Sequence, residues 1–184
     1  MVRATRDSWI DEAMRILEHD GPSGLTIERL CTALQKTKGS FYHHFRDAAG
    51  LRTALLDRWE ERQTEAVIAE ADREPDIRRR AKRLDQLATA ANWAHERAIR
   101  GWAWQDRDVR LRVDAVDRRR VEYLMAFYPE VPPELAQTLA LIEYAALVGA
   151  QHLFLDDLPD EDAAALGRVL RRALRRVATA GTEQ

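Results

Sequence analysis

The sequence predicts an all-α protein in which three short N-terminal helices lead through one long helix into a larger helical part. Two observations carry that expectation: apolar residues recur at helical spacing from one end of the chain to the other, and no run of alternating β-branched residues lies between turn residues. A third bounds the class. At 184 residues, 46% hydrophobic and 33% charged, the chain can bury a core, which sets it apart from disordered and collagen-like sequences.

The first helix is expected from about Thr5 to His19, with Ile10, Ala13, Met14 and Leu17 as its buried stripe. Asp20, Gly21 and Pro22 end it. Thr26 is a candidate N-cap for a second helix carrying Ile27, Leu30, Cys31 and Leu34 and stopping near Gln35, and Phe41 and Phe45 form the apolar pair of a third. A long helix follows from about Asp47 to Ala71, with Leu51, Leu55, Leu56, Trp59 and Val67, and breaks at residues 73–75. Later helices are expected at about 76–98, 102–127, 133–155 and 160–179, punctuated by Gly101, by Tyr128 to Pro133 and by Leu158 to Asp160, with the second helix divisible near Asp106.

The lone Cys31 cannot form an internal disulfide and, on the apolar stripe of its helix, reads as a small buried hydrophobe. The N-terminus has no apolar run suited to a signal peptide, so a reducing cytoplasm is the expected compartment. No membrane span is expected, because the most apolar segment, Leu139 to Leu155, carries Glu143, Gln151 and His152.

The formal net charge is −2, close to neutral, but its distribution is uneven. Residues Arg29 to Arg46 hold Lys36, Lys38, His43 and His44 and no acid, a patch of one sign suited to phosphates. The basic residues are 26 Arg and three Lys, a bias read as a compositional habit, with clusters at Arg78 to Arg80, Arg118 to Arg120 and Arg168 to Arg176.

The segment Thr26 to Phe45, TIERLCTALQKTKGSFYHHF, carries the functional signal. Two short helices joined by a tight turn form a helix-turn-helix, whose second helix can enter a DNA major groove. On spacing alone, a plain helical hairpin fits as well. The chemistry of the second helix suits DNA: Thr37, Lys38, Ser40, Tyr42, His43 and His44 offer donors to phosphates and base edges, and Gly39 permits close backbone approach.

This segment resembles the DNA-binding signature of TetR-family transcriptional regulators, most specifically in Lys38, Gly39, Ser40, Phe41, Tyr42, His43, His44 and Phe45, with Thr26 before it and Leu51 after it. The likeness covers roughly the first 55 residues. It implies a DNA-binding site of Thr26, Lys36, Thr37, Lys38, Gly39, Ser40, Tyr42, His43 and His44. The sequence departs from the family pattern at Gln35, where a Gly is usual, at Lys36, where an apolar residue is usual and whose stem must cover the core with its ammonium outward, and at Ala48 and Ala49.

With that resemblance the fold expectation becomes a three-helix DNA-binding domain over residues 1–50 and a helical ligand-binding and dimerisation domain over residues 51–184. The implied function is a ligand-responsive repressor that binds a pseudo-palindromic double-stranded operator as a homodimer. The alternative is a helical ligand-binding or scaffold protein with a decayed DNA-binding head.

In the second domain the aromatic residues fill core or line a cavity. The residues singled out for an unidentified small-molecule effector are Trp93, Arg100, Trp102, Trp104, Tyr123, Phe127, Tyr144 and His152, with His95 and Gln105 as further polar candidates. Small residues and leucines on the helices at about 133–155 and 160–179 suit either internal burial or a four-helix dimer interface, and the family resemblance implies the dimer. The acid-first pairs Asp106 with Arg110, Asp108 with Arg112 and Asp114 with Arg118 read as a solvated helical face. No enzyme is expected: no nucleophile elbow, Gly-rich phosphate loop or metal-ligand cluster occurs, His152 and Asp156 lack a third ligand, and no cofactor is implied.

Overall fold

The computed structural model describes residues 5–153 and 160–181, and all regular structure among them is helical. The helices are α1 (Arg6–Gly24), α2 (Ile27–Leu34), α3 (Lys38–His44), α4 (Ala48–Glu60), α5 (Ala66–Ala71), α6 (Ile77–Ala90), α7 (Trp93–Ala103), α8 (Arg107–Met125), α9 (Pro133–Leu153) and α10 (Asp160–Gly181). Residues 154–159, including Asp156, lie outside the described residues.

The chain forms two compact units. One comprises residues up to Arg62 together with Trp93–Val113; the other comprises Gln63–Asn92 and residues from Asp114 onward.

In the first unit, α1 buries the expected Ile10, Ala13, Met14 and Leu17, and also Trp9 and Ile16. Gly21 takes φ +68, a left-handed conformation that glycine adopts without a Cβ penalty, and so breaks α1 before a last turn containing Pro22. Trp9 meets Phe41 edge-on at 5.5 Å and Phe41 meets Phe45 at 5.4 Å, so two aromatics from α3 and its C-cap key into the stripe of α1. The helix α7 packs on α1 and buries Ile99 and Trp102.

Two expectations about helix limits need correction. Gly101 does not end a helix: it lies within α7, where the burial of Ile99 and Trp102 on either side outweighs a glycine penalty of about 1 kcal/mol. The break falls instead at Ala91, which is extended, while the expected division near Asp106 is present: Asp106 Oδ1 accepts from the amides of Asp108 and Val109 and so starts α8. The long helix at 47–71 is also not uniform, since residues Glu61–Glu65 form a π turn between α4 and α5. In the second unit, Arg120 supports that turn, its Nε donating to the buried Thr64 Oγ1 at 2.9 Å and its Nη2 to the Gln63 carbonyl at 3.4 Å.

The acid-first pairs of α8 do not form a separate solvated face. Arg52 on α4 donates to Asp106 at 2.7 Å and Asp108 at 2.9 Å, while Arg112 donates to Asp57 at 2.6 Å and Glu60 at 2.5 Å. Packing α8 beside α4 gives these charges partners across the interface in place of partners one turn away. The second unit centres on Leu84, Val121, Leu124, Phe127, Tyr128, Leu139, Ala140, Leu174 and Ala178, contributed by α6, α8, α9, α10 and the segment after α8.

Candidate nucleic-acid interface

The helix-turn-helix is built from local capping. Thr26 Oγ1 accepts from the Arg29 amide at 3.2 Å and starts α2; Thr37 Oγ1 accepts from the Ser40 amide at 3.2 Å and starts α3. Each hydroxyl keeps its own hydrogen to donate, so capping is compatible with a phosphate contact.

Gln35 makes the turn between them in the left-handed region, at φ 53 and ψ 47. Its amide donates to the Thr32 carbonyl and that of Lys36 to the Cys31 carbonyl, the two bonds of a Schellman stop with glutamine where glycine is usual. Lys36 is half-buried after the stop, as expected for a lysine laying its stem along the core. Burial pushes the Cys31 thiol up, so this cysteine is a poor nucleophile.

On α3, Phe41 is buried while Thr37, Lys38, Gly39, Tyr42 and His43 are exposed; Ser40 and His44 are half-buried. Eight of the nine expected residues therefore lie within residues 36–44, and the ninth, Thr26, caps α2. Tyr42 is 54% exposed and contacts Phe41 edge-on at 5.4 Å. A Cβ at Gly39 would meet only Thr37 Oγ1 at 3.6 Å, an ordinary contact, so the fold itself does not demand glycine there.

The acid-free stretch is less positive in three dimensions than in sequence. Lys38 Nζ donates to Glu28 Oε1 at 2.5 Å, and Arg29 donates to Asp20 at 2.6 Å. The hydrogen bond and charge of Lys38 hold the Glu28 carboxyl below its usual range, and Glu28 in turn raises Lys38. Glu28 is thus a site residue that sequence reasoning missed, because its partner lies ten positions away across a turn.

The residues singled out for an effector divide between the units. In the first, Trp93 is half-buried, Trp102 is buried, Arg100 donates to Glu96, and Trp104 is 80% exposed with the Arg110 guanidinium 5.3 Å from its ring centre. His95 Nε2 lies 2.8 Å from Glu18. In the second, Phe127 is core, Tyr123 donates to Asp72, Tyr144 donates to Asp117, and the exposed His152 has Nδ1 2.8 Å from the Val148 carbonyl.

Residues 10–55 match the family model for bacterial regulatory proteins of the TetR family. Among solved structures the chain is similar to reduced NemR from E. coli, with TM-score 0.75 and 17% identity over 92% of this chain and 97% of that one. It is similar to a structure from Saccharomonospora viridis in complex with choline, with TM-score 0.73 and 15% identity over 92% and 95%. A TetR-family transcriptional regulator from Pectobacterium atrosepticum has TM-score 0.55 and 20% identity over 94% and 91%. Among curated proteins none matches the chain in sequence. Residues 10–55 thus form a helix-turn-helix domain of the TetR-family type, and the whole chain has the fold of these solved structures. Among the described residues no helix is long and apolar enough to cross a membrane.

Proposed function

We propose that the chain is a ligand-responsive repressor working in the cytoplasm, which binds a pseudo-palindromic operator as a homodimer and is modulated by a small-molecule effector. The observation that carries this reading is α3: a short helix pinned by Phe41 and Phe45, with Thr37, Lys38, Gly39, Tyr42 and His43 facing solvent. In the major groove these residues, with Thr26, Lys36, Ser40 and His44, would hold phosphates and reach base edges. A glycine that the fold does not require suits a close approach by the DNA backbone.

Exposed apolar residues on the second unit support self-association. Leu141, Ile142 and Leu153 on α9, with Leu166, Val169 and Val177 on α10, lie open in one chain, and a second copy would cover them. A two-fold dimer presents two reading helices and so demands two half-sites at a fixed spacing.

For the effector, the candidates remain Trp93, Arg100, Trp102, Trp104, Tyr123, Phe127, Tyr144 and His152. The choline held by the Saccharomonospora neighbour supports a small-molecule ligand. Because α7 packs on α1 within one unit, an effector held at Trp93 or Trp102 would act on the body that carries α3. It changes DNA binding only if its affinity differs between the competent and incompetent dimers. In this reading residues 1–50 read DNA, and residues 51–184 bind ligand and dimerise.

The test is selection of bound sequences from a random duplex pool at two salt concentrations with the full chain. A recovered palindrome supports the proposal. Weak, salt-erased binding without a motif would favour a helical ligand-binding or scaffold protein whose DNA-binding head has decayed.

A further inference from the structure

Two of the arginine clusters that DNA binding leaves unexplained meet in the second unit. Packing of α6 against α10 forms a groove of about 540 Å³ lined by Arg78 and Lys82 from one wall and Arg168, Arg172, Arg175 and Arg176 from the other. We propose that this groove binds a small molecule bearing two or more phosphate groups.

The acids nearest the groove already have a cation. Arg171 donates to Asp85 at 2.8 Å, to the Ala81 carbonyl at 2.9 Å and to Glu143 at 2.8 Å through Nε. The six cations named above make no ion pair among the described residues. Elsewhere arginines meet acids across helix interfaces, as Arg52 and Arg112 do between α4 and α8. In the groove, these six cations share one concavity with a single acid, Asp85, which Arg171 already pairs.

The three faces of α10 explain how the groove stays open. Leu174 and Ala178 turn to the core, and Leu166, Val169 and Val177 form an exposed apolar strip. Arg168, Arg172 and Arg175 fall on the remaining third of the helix, beside Lys82. A second copy seated on the apolar strip would therefore leave the basic strip free.

The chemistry selects phosphate. Arginine forks bind phosphate oxygens in bidentate pairs, and Lys82 adds a point charge. The volume lies in the range of small-molecule sites. The lining residues include no aromatic side chain to stack on a base, so recognition would rest on the phosphate groups.

The test is calorimetric titration of inorganic tripolyphosphate into the full chain at roughly 0.1 M salt. One saturable site per chain is expected, with orthophosphate at least about tenfold weaker because it engages fewer forks. Arg168→Glu/Arg172→Glu should weaken tripolyphosphate at least about tenfold, and Lys82→Glu on the facing wall about threefold or more. Arg172→Gln, which removes a fork without adding an acid, guards against a folding defect and should also weaken binding. Arg118→Glu on α8, outside the groove, should leave binding unchanged. The proposal is overturned if no saturable binding occurs, if Arg118→Glu weakens it as much as the groove variants, or if random duplex but not tripolyphosphate loses affinity in Arg168→Glu/Arg172→Glu.

Discussion

The indole N–H of Trp59 on α4 donates to the carboxylate of Glu96 on α7 at 2.9 Å, with the two residues only 1% and 2% exposed. Arg100, one turn on, donates to the other oxygen of the same carboxylate at 3.0 Å. A buried charge with two donors is tolerated because both of its oxygens are satisfied. Glu96→Ala would leave the indole N–H and a guanidinium without their acceptor, and should cost about 3–5 kcal/mol in chemical denaturation. Glu96→Gln keeps an acceptor for Trp59 and should cost less. Equal, small losses for both would mean that water replaces the carboxylate.

The stop of α2 gives a gain-of-stability test. Gln35 holds a left-handed conformation that disfavours a Cβ, and nothing about its exposed side chain compensates. Gln35→Gly should stabilise the chain by about 1 kcal/mol, while Gln35→Ala should not. The comparison of denaturation midpoints at unchanged slope decides it.

The Glu28–Lys38 pair predicts a pH dependence with a definite sign. A carboxyl held low in the folded state contributes stability above its unfolded value and loses it as pH falls through the lower folded value. A lysine held high contributes below its unfolded value and loses that as pH rises through the raised one. The pair is therefore intact between the two limits. In carbon-13 NMR titrations, Lys38→Met should move the Glu28 carboxyl up toward its usual range; no movement would mean that the pair does not persist in solution. Glu28→Gln should tighten operator binding by about threefold by releasing Lys38 and removing an anion from the interface. Lys38→Ala should lower the slope of log K against log salt by about 0.9 if the ammonium neutralises one phosphate.

Tyr42 separates DNA binding from folding. Its ring is more than half exposed on α3 and meets the buried Phe41 edge-on. Tyr42→Ala should weaken operator binding by about tenfold with little change in thermal stability. Unchanged affinity would remove α3 from the reading position.

The exposed apolar strip predicts an oligomeric state. Val169 on α10 is 69% exposed, so Val169→Glu introduces a charge without opening the core of a single chain. Sedimentation at micromolar concentration should give a dimer for the natural chain and a monomer for Val169→Glu combined with Leu141→Glu. A natural chain that sediments as a monomer would take away the two-headed operator.

The parts of this molecule that sequence reasoning reached are the local ones. The apolar stripe of α1, the cap at Thr26, the Phe41 and Phe45 pair and the start of α8 near Asp106 each depend on residues within a turn or two of one another. Gly101 misled because a glycine signals a stop only when packing does not override it, and the π turn at 61–65 left no signature in the apolar spacing.

The helical class, the helix-turn-helix and the chemistry carried by α3 are legible in the residue order, because helix periodicity, capping and residue type are short-range properties. Which charges meet emerges from packing: Lys38 with Glu28, Arg52 with Asp106 and Asp108, Arg112 with Asp57 and Glu60, and two distant arginine clusters around one groove. The physical reason is that an ion pair between helices depends on their rotation and separation after the core has closed. Residues far apart in the chain acquire those coordinates only through packing.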